Sequence, residues 1–156
     1  NGGDVSLTLI AITGIPFAWA LSRVSLIAAG SVAVITKTSG ANFKIWSGND
    51  DETFSIMALG GHGVVSVASN IVGLQISKMI GAFLDGNIEL ASKQHKQLLP
   101  LFEALFWVTN PILIKRALNI SGFDVGGLRL PMIDSDQYYE KFSNLLSEYE
   151  MDIGAK

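Results

Sequence analysis

Residues 43–50 read FKIWSGND and residues 59–70 read LGGHGVVSVASN, and these two stretches decide the fold. In each, a short apolar run ends in small or polar residues, and a helix-sized segment separates the two runs. This succession of strand, helix, strand and helix is typical of a parallel α/β sheet, whose strands are covered on both faces. Functional groups of such folds lie at the carboxyl ends of the strands, here residues 47–50 and 68–70.

The apolar spacing predicts the bounds of these first elements. We expect strands over residues 43–46 and 64–68, with a short helix between them that is capped by Asp50 or Asp51 and ended by Gly60. A second helix is predicted from a cap at Asn70 to about Leu84. Its buried face is expected to consist of Val72, Ile76, Met79, Ile80 and Phe83.

The rest of the chain is predicted to be helical. A long helix should begin after Asn87 and run to Trp107, kinked or divided by Pro100. Another should cover residues 111–120, capped by Asn110, and a glycine-containing loop should follow over 121–131. The last helix is predicted to be capped by Asp134 or Ser135, with a buried stripe of Tyr138, Phe142, Leu145 and Tyr149.

Composition excludes several classes of function. The 156 residues suffice for one domain with a real core, and the net charge of −3 gives no basic footprint for nucleic acid. The absence of cysteine excludes disulfides and thiolate chemistry, and it favours an intracellular, cytoplasmic setting. The two histidines, His62 and His95, are too far apart in sequence to form a metal-ligand motif, and no metal site is predicted.

Residues 1–41 differ from the rest, because Arg23 is the only charged residue between Val5 and Thr36. The uncharged run from Val5 to Ser22 has the length of a membrane helix, but Gly14 and Pro16 interrupt it. A buried strand followed by a buried helix is the alternative that we prefer. A misread sequence is a third possibility.

Three groups of polar or small residues could carry chemistry, but each has a simpler structural explanation. Asn49, Asp50 and Asp51 offer oxygen ligands for a hard cation, although helix capping requires only one of them. The segment 60–63 resembles a phosphate-binding loop, but it precedes a strand and lacks the lysine of a P-loop, so a tight turn explains it. Ser47, Ser66 and Ser69 have no histidine or acid at the spacing of a catalytic triad.

Five segments, in order, resemble the carboxyl-terminal half of the dihydrodipicolinate synthase family, which includes N-acetylneuraminate lyase and sugar acid aldolases. They are WSGND at 46–50, ALGGHGVVSV at 58–67, LLPL at 98–101, TNPILIK at 109–115 and LRLP at 128–131. The resemblance covers residues 42 to about 133. The asparagine–proline segment and LRLP favour the synthase branch over the sugar acid lyases.

The resemblance implies the fold and the reaction. The expected fold is the carboxyl-terminal part of a (β/α)8 TIM barrel followed by a helical appendage. Residues 1–41 would be a degenerate or misread segment around strand six, residues 42–86 the last barrel strands and helices, and residues 87–156 the appendage. The family condenses pyruvate with aspartate semialdehyde in lysine biosynthesis through a lysine Schiff base, without a metal or organic cofactor.

The departures from the family bear on catalysis. The family carries its Schiff-base lysine in a Gly-Ile-Lys-Glu segment, where this chain has Gly14-Ile15-Pro16-Phe17. We therefore assign no catalytic residue, and we interpret Lys37 as a helix-end residue. The positions carried over are Gly48 and Val65, which would line the pyruvate pocket at the mouths of strands seven and eight.

These features together predict a fragment that is inactive alone, because two or three barrel strands leave open edges. The intact enzyme would bind pyruvate and an aldehyde and form a dimer or tetramer. The alternatives are a sugar acid aldolase or N-acetylneuraminate lyase of the same family, and a non-catalytic remnant whose helices act as an interaction module.

Overall fold

The computed structural model describes residues 43–134 and 136–153, together with Val32, Val34, Ile35, Lys37 and Thr38, which are helical. The uncharged run at residues 5–22, which contains Pro16 and for which a buried strand and helix were preferred to a membrane helix, lies outside the described residues. Among the helices that the structure describes, none is both long enough and apolar enough to cross a membrane.

From residue 43 onward, the described residues form one parallel strand pair and five α-helices. In chain order they are β1 (Trp46–Ser47), α1 (Thr53–Ala58), β2 (Gly63–Val64), α2 (Ser69–Leu84), α3 (Ile88–Ala104), α4 (Ile112–Ile120), a 3-10 turn (Asp136–Tyr138) and α5 (Tyr139–Leu146). In the strand pair, Trp46 lies opposite Gly63 and Ser47 lies opposite Val64. The predicted strand–helix–strand–helix order and the parallel pairing are confirmed.

Both strands are shorter than predicted, and β1 begins later. The predicted ranges were 43–46 and 64–68, whereas the ladder occupies Trp46–Ser47 and Gly63–Val64. One backbone hydrogen bond extends it at each end, from His62 N to Ile45 O at 2.6 Å and from Val65 N to Ser47 O at 2.8 Å. After Val65 the chain turns into α2, because backbone amides of residues 67–69 bond to side chains instead of to a strand.

The predicted caps of α1 and α2 are wrong. Glu52 occupies the cap position of α1 without a side-chain hydrogen bond, and Ala68 occupies that of α2. Asn70 instead lies inside α2 and donates its side-chain amide to Val67 O at 2.8 Å. The Asp50 carboxylate, which was expected to cap α1, instead accepts hydrogen bonds from the backbone amides of Val67 and Ala68 at the start of α2. The predicted stop of α1 is confirmed, since Leu59 caps the helix and Gly60 follows with φ 93°.

A break in α2 is filled by the carboxyl-terminal tail. Val72 has non-helical backbone angles (φ −135°, ψ 38°) within the helix. Asp152 N donates to Ile71 O at 3.0 Å, and the Asp152 carboxylate accepts a hydrogen bond from Leu74 N. The tail therefore supplies hydrogen-bond partners on both sides of the break.

The predictions for α3 and α4 are confirmed for the Asn87 cap and for the end of α4 at Ile120, and wrong for the end of α3 and the cap of α4. Asn87 caps α3 as predicted, and its side chain accepts from Leu90 N at 3.2 Å. Pro100 does not divide α3, which ends at Ala104 and not at Trp107. Proline lacks the amide that would bond to Lys96 O, and because Lys96 and Pro100 are both exposed, water can reach that carbonyl. Pro111 lies at the cap position of α4, since its backbone (φ −103°, ψ 28°) is not helical.

The last helix begins later than predicted, and one member of its buried face was missed. A 3-10 turn precedes α5, and Asp134, one of the two expected caps, pairs with Arg116 at 3.4 Å. Phe142 is fully buried as predicted, whereas Tyr138, Leu145 and Tyr149 are half-buried. Leu146, four residues after Phe142, is the second buried residue of the helix.

One apolar core joins α2, α3, α4 and α5. Its largest fully buried side chains include Ile71, Ile76, Met79, Leu101, Phe102, Leu113, Ile114, Phe142 and Leu146. Of the face predicted for α2, four residues are buried and Phe83 is half-buried. The core fixes α2, whose first turn begins directly after the loop that follows β2.

Candidate functional site

The two faces of the strand pair are unequally covered. Side chains alternate between the faces of a sheet, so Trp46 and Gly48 share one face of β1, and Gly63 and Val65 share the corresponding face of β2. This face is open, because Trp46 is 43% exposed and nothing lies within 4 Å of the position where Gly48 would carry a Cβ. The opposite face bears three side chains no more than 2% exposed: Ser47, Val64 and Ser66.

The loop after β1 is held by a tight set of local hydrogen bonds around Gly48. Ser47 Oγ donates to Asn49 O at 2.6 Å, and the Asn49 amide donates to Ser47 Oγ at 3.1 Å. Thr53 Oγ1 also donates to Asn49 O, at 3.2 Å. These bonds tie the turn to the start of α1 and leave Gly48 exposed at its tip.

Asp50 links this loop to the one that follows β2. Its carboxylate is 2% exposed and accepts hydrogen bonds from Ser66 Oγ, from Val67 N at 3.0 Å and from Ala68 N at 3.1 Å. Ser66 Oγ in turn accepts from Ser69 N at 2.8 Å. The side chains of Asp50 and Ser66 therefore accept hydrogen bonds from the free backbone amides at the start of α2. The helix dipole also favours a negative charge there.

Burial raises the pKa of the Asp50 carboxyl above its ordinary value of 3.8, and the hydrogen bonds from Ser66, Ala68 and Val67 act against that rise. Both carboxylate oxygens already accept hydrogen bonds. This occupancy argues against the cation site considered for residues 49–51. Within the described residues, no group of three or more metal-ligating side chains comes together.

A small aromatic and basic cluster lies beside β1 and β2. His62 Nε2 is 3.0 Å from Lys44 Nζ, and the His62 ring meets Trp46 edge to face with ring centroids 5.3 Å apart. His62 is an exposed residue of the turn, as the sequence predicts.

His95 lies at the junction between the strand loops and the helices. Its ring stacks on Phe54 of α1 with ring centroids 5.7 Å apart and lies 6.1 Å from the ring of Phe102. Partial burial lowers the pKa of His95 below its ordinary value, and the negative charge of Asp51 opposes this effect. No local pattern predicts this contact, since His95 is 41 residues away from Phe54 and 44 away from Asp51 in the sequence.

Gly48 and Val65, the two predicted substrate-binding residues, therefore follow paired strands on the same face. Val65 is half-buried and Gly48 is exposed. Sequence reasoning missed the link made by Asp50 and Ser66. The available signal was a carboxylate three residues after one strand and a serine two residues after the next, since the carboxyl ends of parallel strands lie at the same edge of a sheet.

The sequence model of the dihydrodipicolinate synthetase family matches residues 27–149. The chain belongs to this family. The 4-hydroxy-tetrahydrodipicolinate synthase of Heliobacterium modesticaldum is 45% identical over 133 residues, which are 83% of this chain and 44% of that protein. The synthase of Dehalococcoides mccartyi strain 195 is 47% identical over 129 residues, 80% of this chain and 42% of the relative.

Solved structures of the family agree in fold. The dihydrodipicolinate synthase of Thermotoga maritima superposes with a TM-score of 0.73 at 40% identity, covering 77% of this chain and 42% of that chain. The enzyme of Aquifex aeolicus gives 0.75 at 35% identity, covering 78% and 42%. These neighbours imply a family of TIM-barrel enzymes. The chain spans less than half the length of the relatives that it matches.

Proposed function

We propose that this chain is the carboxyl-terminal part of a dihydrodipicolinate synthase that condenses pyruvate with aspartate semialdehyde. In this proposal, β1 and β2 are barrel strands seven and eight within residues 42–86. Residues 87–156 are the helical appendage, and residues 1–41 are a degenerate or misread version of the segment around strand six. The observation that carries the proposal is the parallel strand pair, whose open face bears Gly48 and Val65 in a chain of this family.

The open face supports a role for Gly48 and Val65 in lining the pyruvate pocket. In a closed barrel the inner face of each strand is directed at the barrel axis, and the active site lies at the carboxyl ends of the strands. The opposite face is already covered, since Ser47 and Val64 are buried there and α1 lies against both strands. Gly48 leaves space for a small substrate, and Val65 offers an apolar wall opposite it.

The proposed chemistry requires a lysine amine, which would come from outside the described residues. The amine condenses with the pyruvate ketone and releases water, and the resulting iminium withdraws electrons so that the methyl group loses a proton. The enamine carbon then attacks the aldehyde. We propose that the chain as given is inactive, because Pro16 stands where the family has its lysine and the chain spans less than half the length of its relatives.

The first test is resequencing of the source DNA through the codons of residues 1–42 and several hundred bases upstream. We expect a corrected frame to restore a Gly-Ile-Lys-Glu segment and the preceding barrel strands. The longer protein should then form a pyruvate adduct that borohydride traps on that lysine, whereas this chain should form none. A sequence that stands as given, with no barrel half upstream, would contradict the catalytic proposal and leave a non-catalytic remnant.

A substrate panel separates the synthase from its relatives in the same family. The longer protein should consume pyruvate together with aspartate semialdehyde, and it should not cleave N-acetylneuraminate or keto-deoxy sugar acids. Turnover of a sugar acid with no turnover of the semialdehyde would favour the aldolase alternative. Sedimentation of the same sample tests the proposed dimer or tetramer.

A further inference from the structure

We propose that Asp50 is a positioning residue that sets the relative placement of Gly48 and Val65. This inference rests on the proposed function, because it concerns the pocket that those two residues would form. Asp50 itself faces the covered side of the strands and touches no part of that pocket. It acts through the two loops that carry Gly48 and Val65.

The Asp50 carboxylate is a junction between two separate segments of the chain. It lies two residues after Gly48, and its three hydrogen-bond donors, Ser66, Val67 and Ala68, directly follow Val65. The backbone bond that joins the strand ends at this level runs from Val65 N to Ser47 O at 2.8 Å. Asp50 thus adds a second tie, beyond the end of the ladder, where the chain leaves the sheet.

The segments on both sides of the Asp50 hydrogen bonds are rigid. Before Asp50, the turn at Gly48 is closed by Ser47 and Thr53, which both donate to Asn49 O. After Val65, the donors belong to the start of α2, a helix that the apolar core holds through Ile71 and Ile76. A shift of Asp50 would therefore change the distance between the loops and could not be absorbed by either one.

A charged residue is suited to position 50 despite its burial. Two backbone amides and one hydroxyl compensate the carboxylate, and the amino-terminal end of α2 adds a favourable dipole. The negative charge of Asp50 is therefore already compensated when a pyruvate anion binds in the neighbouring pocket. An unpaired carboxylate at this place would repel the substrate.

The experiment compares Asp50→Ala, Asp50→Asn and Ser66→Ala with Asp51→Asn as the matched control. Asparagine can still accept from the Val67 and Ala68 amides and can donate to Ser66 Oγ, so it should preserve most of the junction, whereas alanine removes all three acceptor interactions. Asp51 is exposed and adjacent, and its replacement removes the same charge from the same loop.

In this chain, amide exchange at Val67 and Ala68 is measured relative to Leu105, whose amide bonds within α3 to Leu101 O at 3.1 Å. Asp50→Ala should accelerate that relative exchange by about tenfold or more, Asp50→Asn should do so less, and Asp51→Asn should leave it unchanged. If Asp50→Ala fails to fold, Asp50→Asn carries the test at Val67 and Ala68, whereas Ser66→Ala should accelerate exchange chiefly at Ser69, whose amide bonds to Ser66 Oγ. Unchanged relative exchange in the folded variants would overturn the proposal.

In the longer enzyme, separate effects on KM and kcat distinguish a positioning role of Asp50 from a merely structural one. Asp50→Ala should raise the KM for pyruvate by about tenfold, with a smaller change in kcat, and Asp50→Asn should restore most of the affinity. A pyruvate KM unchanged in an Asp50→Ala variant with faster exchange would overturn the positioning role. Absence of any pyruvate adduct in the unsubstituted longer enzyme would contradict the proposed function, while the exchange data would still decide whether Asp50 joins the loops.

Discussion

The strand loops and the helical part of this chain are stabilised by different interactions. In the described residues, the buried polar or charged side chains are Ser47, Asp50, Thr53 and Ser66, and all lie in the short region that contains β1, α1 and β2. The helices α3, α4 and α5 instead contribute buried apolar residues such as Leu101, Phe102, Leu113 and Phe142. One region is joined by directional hydrogen bonds, and the other by non-directional apolar packing.

This difference explains which parts of the fold can be predicted from sequence. Apolar packing leaves a period of about 3.6 residues, which is visible in the chain itself. The hydrogen bonds of the Asp50 carboxylate join residues 16 to 18 positions apart, and no local pattern records such a pairing. The mutations below test this contrast, in order of decreasing expected effect.

The largest effect is expected in the helical core. Phe142→Ala removes a fully buried ring from α5 and should lower the free energy of unfolding by about 3–5 kcal/mol, because the cavity cannot close completely. Urea denaturation monitored by circular dichroism measures the change. Leu145→Ala, at a half-buried position of the same helix, is the matched control and should cost clearly less. Equal losses would mean that α5 is not packed as described.

The next effect concerns the strand loops. Asp50→Ala leaves the donors of Ser66, Val67 and Ala68 without their acceptor, and we expect a loss of roughly 2–4 kcal/mol in the free energy of unfolding. The control Asp51→Ala should stay within about 0.5 kcal/mol of the unsubstituted chain. If Asp50→Ala were no worse than this control, the hydrogen-bonded region would contribute little stability and the comparison with the core would fail.

The predictions that succeeded rest on residues whose neighbours in sequence decide their structure. Asn87 caps α3 because its side chain reaches the amide of Leu90, three residues away. Val72, Ile76, Met79 and Ile80 are buried as their spacing predicts. The strand–helix–strand–helix pattern likewise predicted the parallel pairing of β1 and β2. The family resemblance added Gly48 and Val65 as candidate pocket residues, and these stay a prediction.

The predictions that failed concern residues whose partners lie elsewhere in the chain. Asp50 was expected to cap the helix that follows it, but its oxygens meet the amides before α2. Asn70 was expected to cap α2, but the amides there already have acceptors in Asp50 and Ser66. Local capping rules fail at Val67 and Ala68 because their amides bond to the distant carboxylate of Asp50, whereas the amide of Ser69 bonds to the local hydroxyl of Ser66.

A smaller effect is expected at the turn between α1 and β2. A Cβ on Gly61 would lie 2.5 Å from Ile56 Cγ2 and 2.7 Å from the Ile56 carbonyl oxygen. Gly61→Ala should therefore cost about 1–3 kcal/mol, because backbone as well as side chain must shift. Gly81→Ala in α2 is the opposite control, since nothing lies within 4 Å of its Cβ position, and it should add about 0.5–1 kcal/mol. Thermal unfolding of both variants decides the signs.

The smallest effect is a pH dependence at His95, where the strand loops meet the helices. Burial lowers its pKa in the folded chain below the ordinary value of 6.5, so the unfolded chain binds the proton more readily. The stability that this difference contributes is present above the unfolded pKa and is lost as pH falls through the folded pKa.

Unfolding free energies measured between pH 5 and 8 should therefore decline toward acid more steeply than in His95→Gln, which cannot titrate. Asp51→Asn should steepen the decline, because the charge that partly supports protonated His95 is removed. Identical pH profiles for the unsubstituted chain and His95→Gln would show that the stacking of His95 on Phe54 does not depend on its charge.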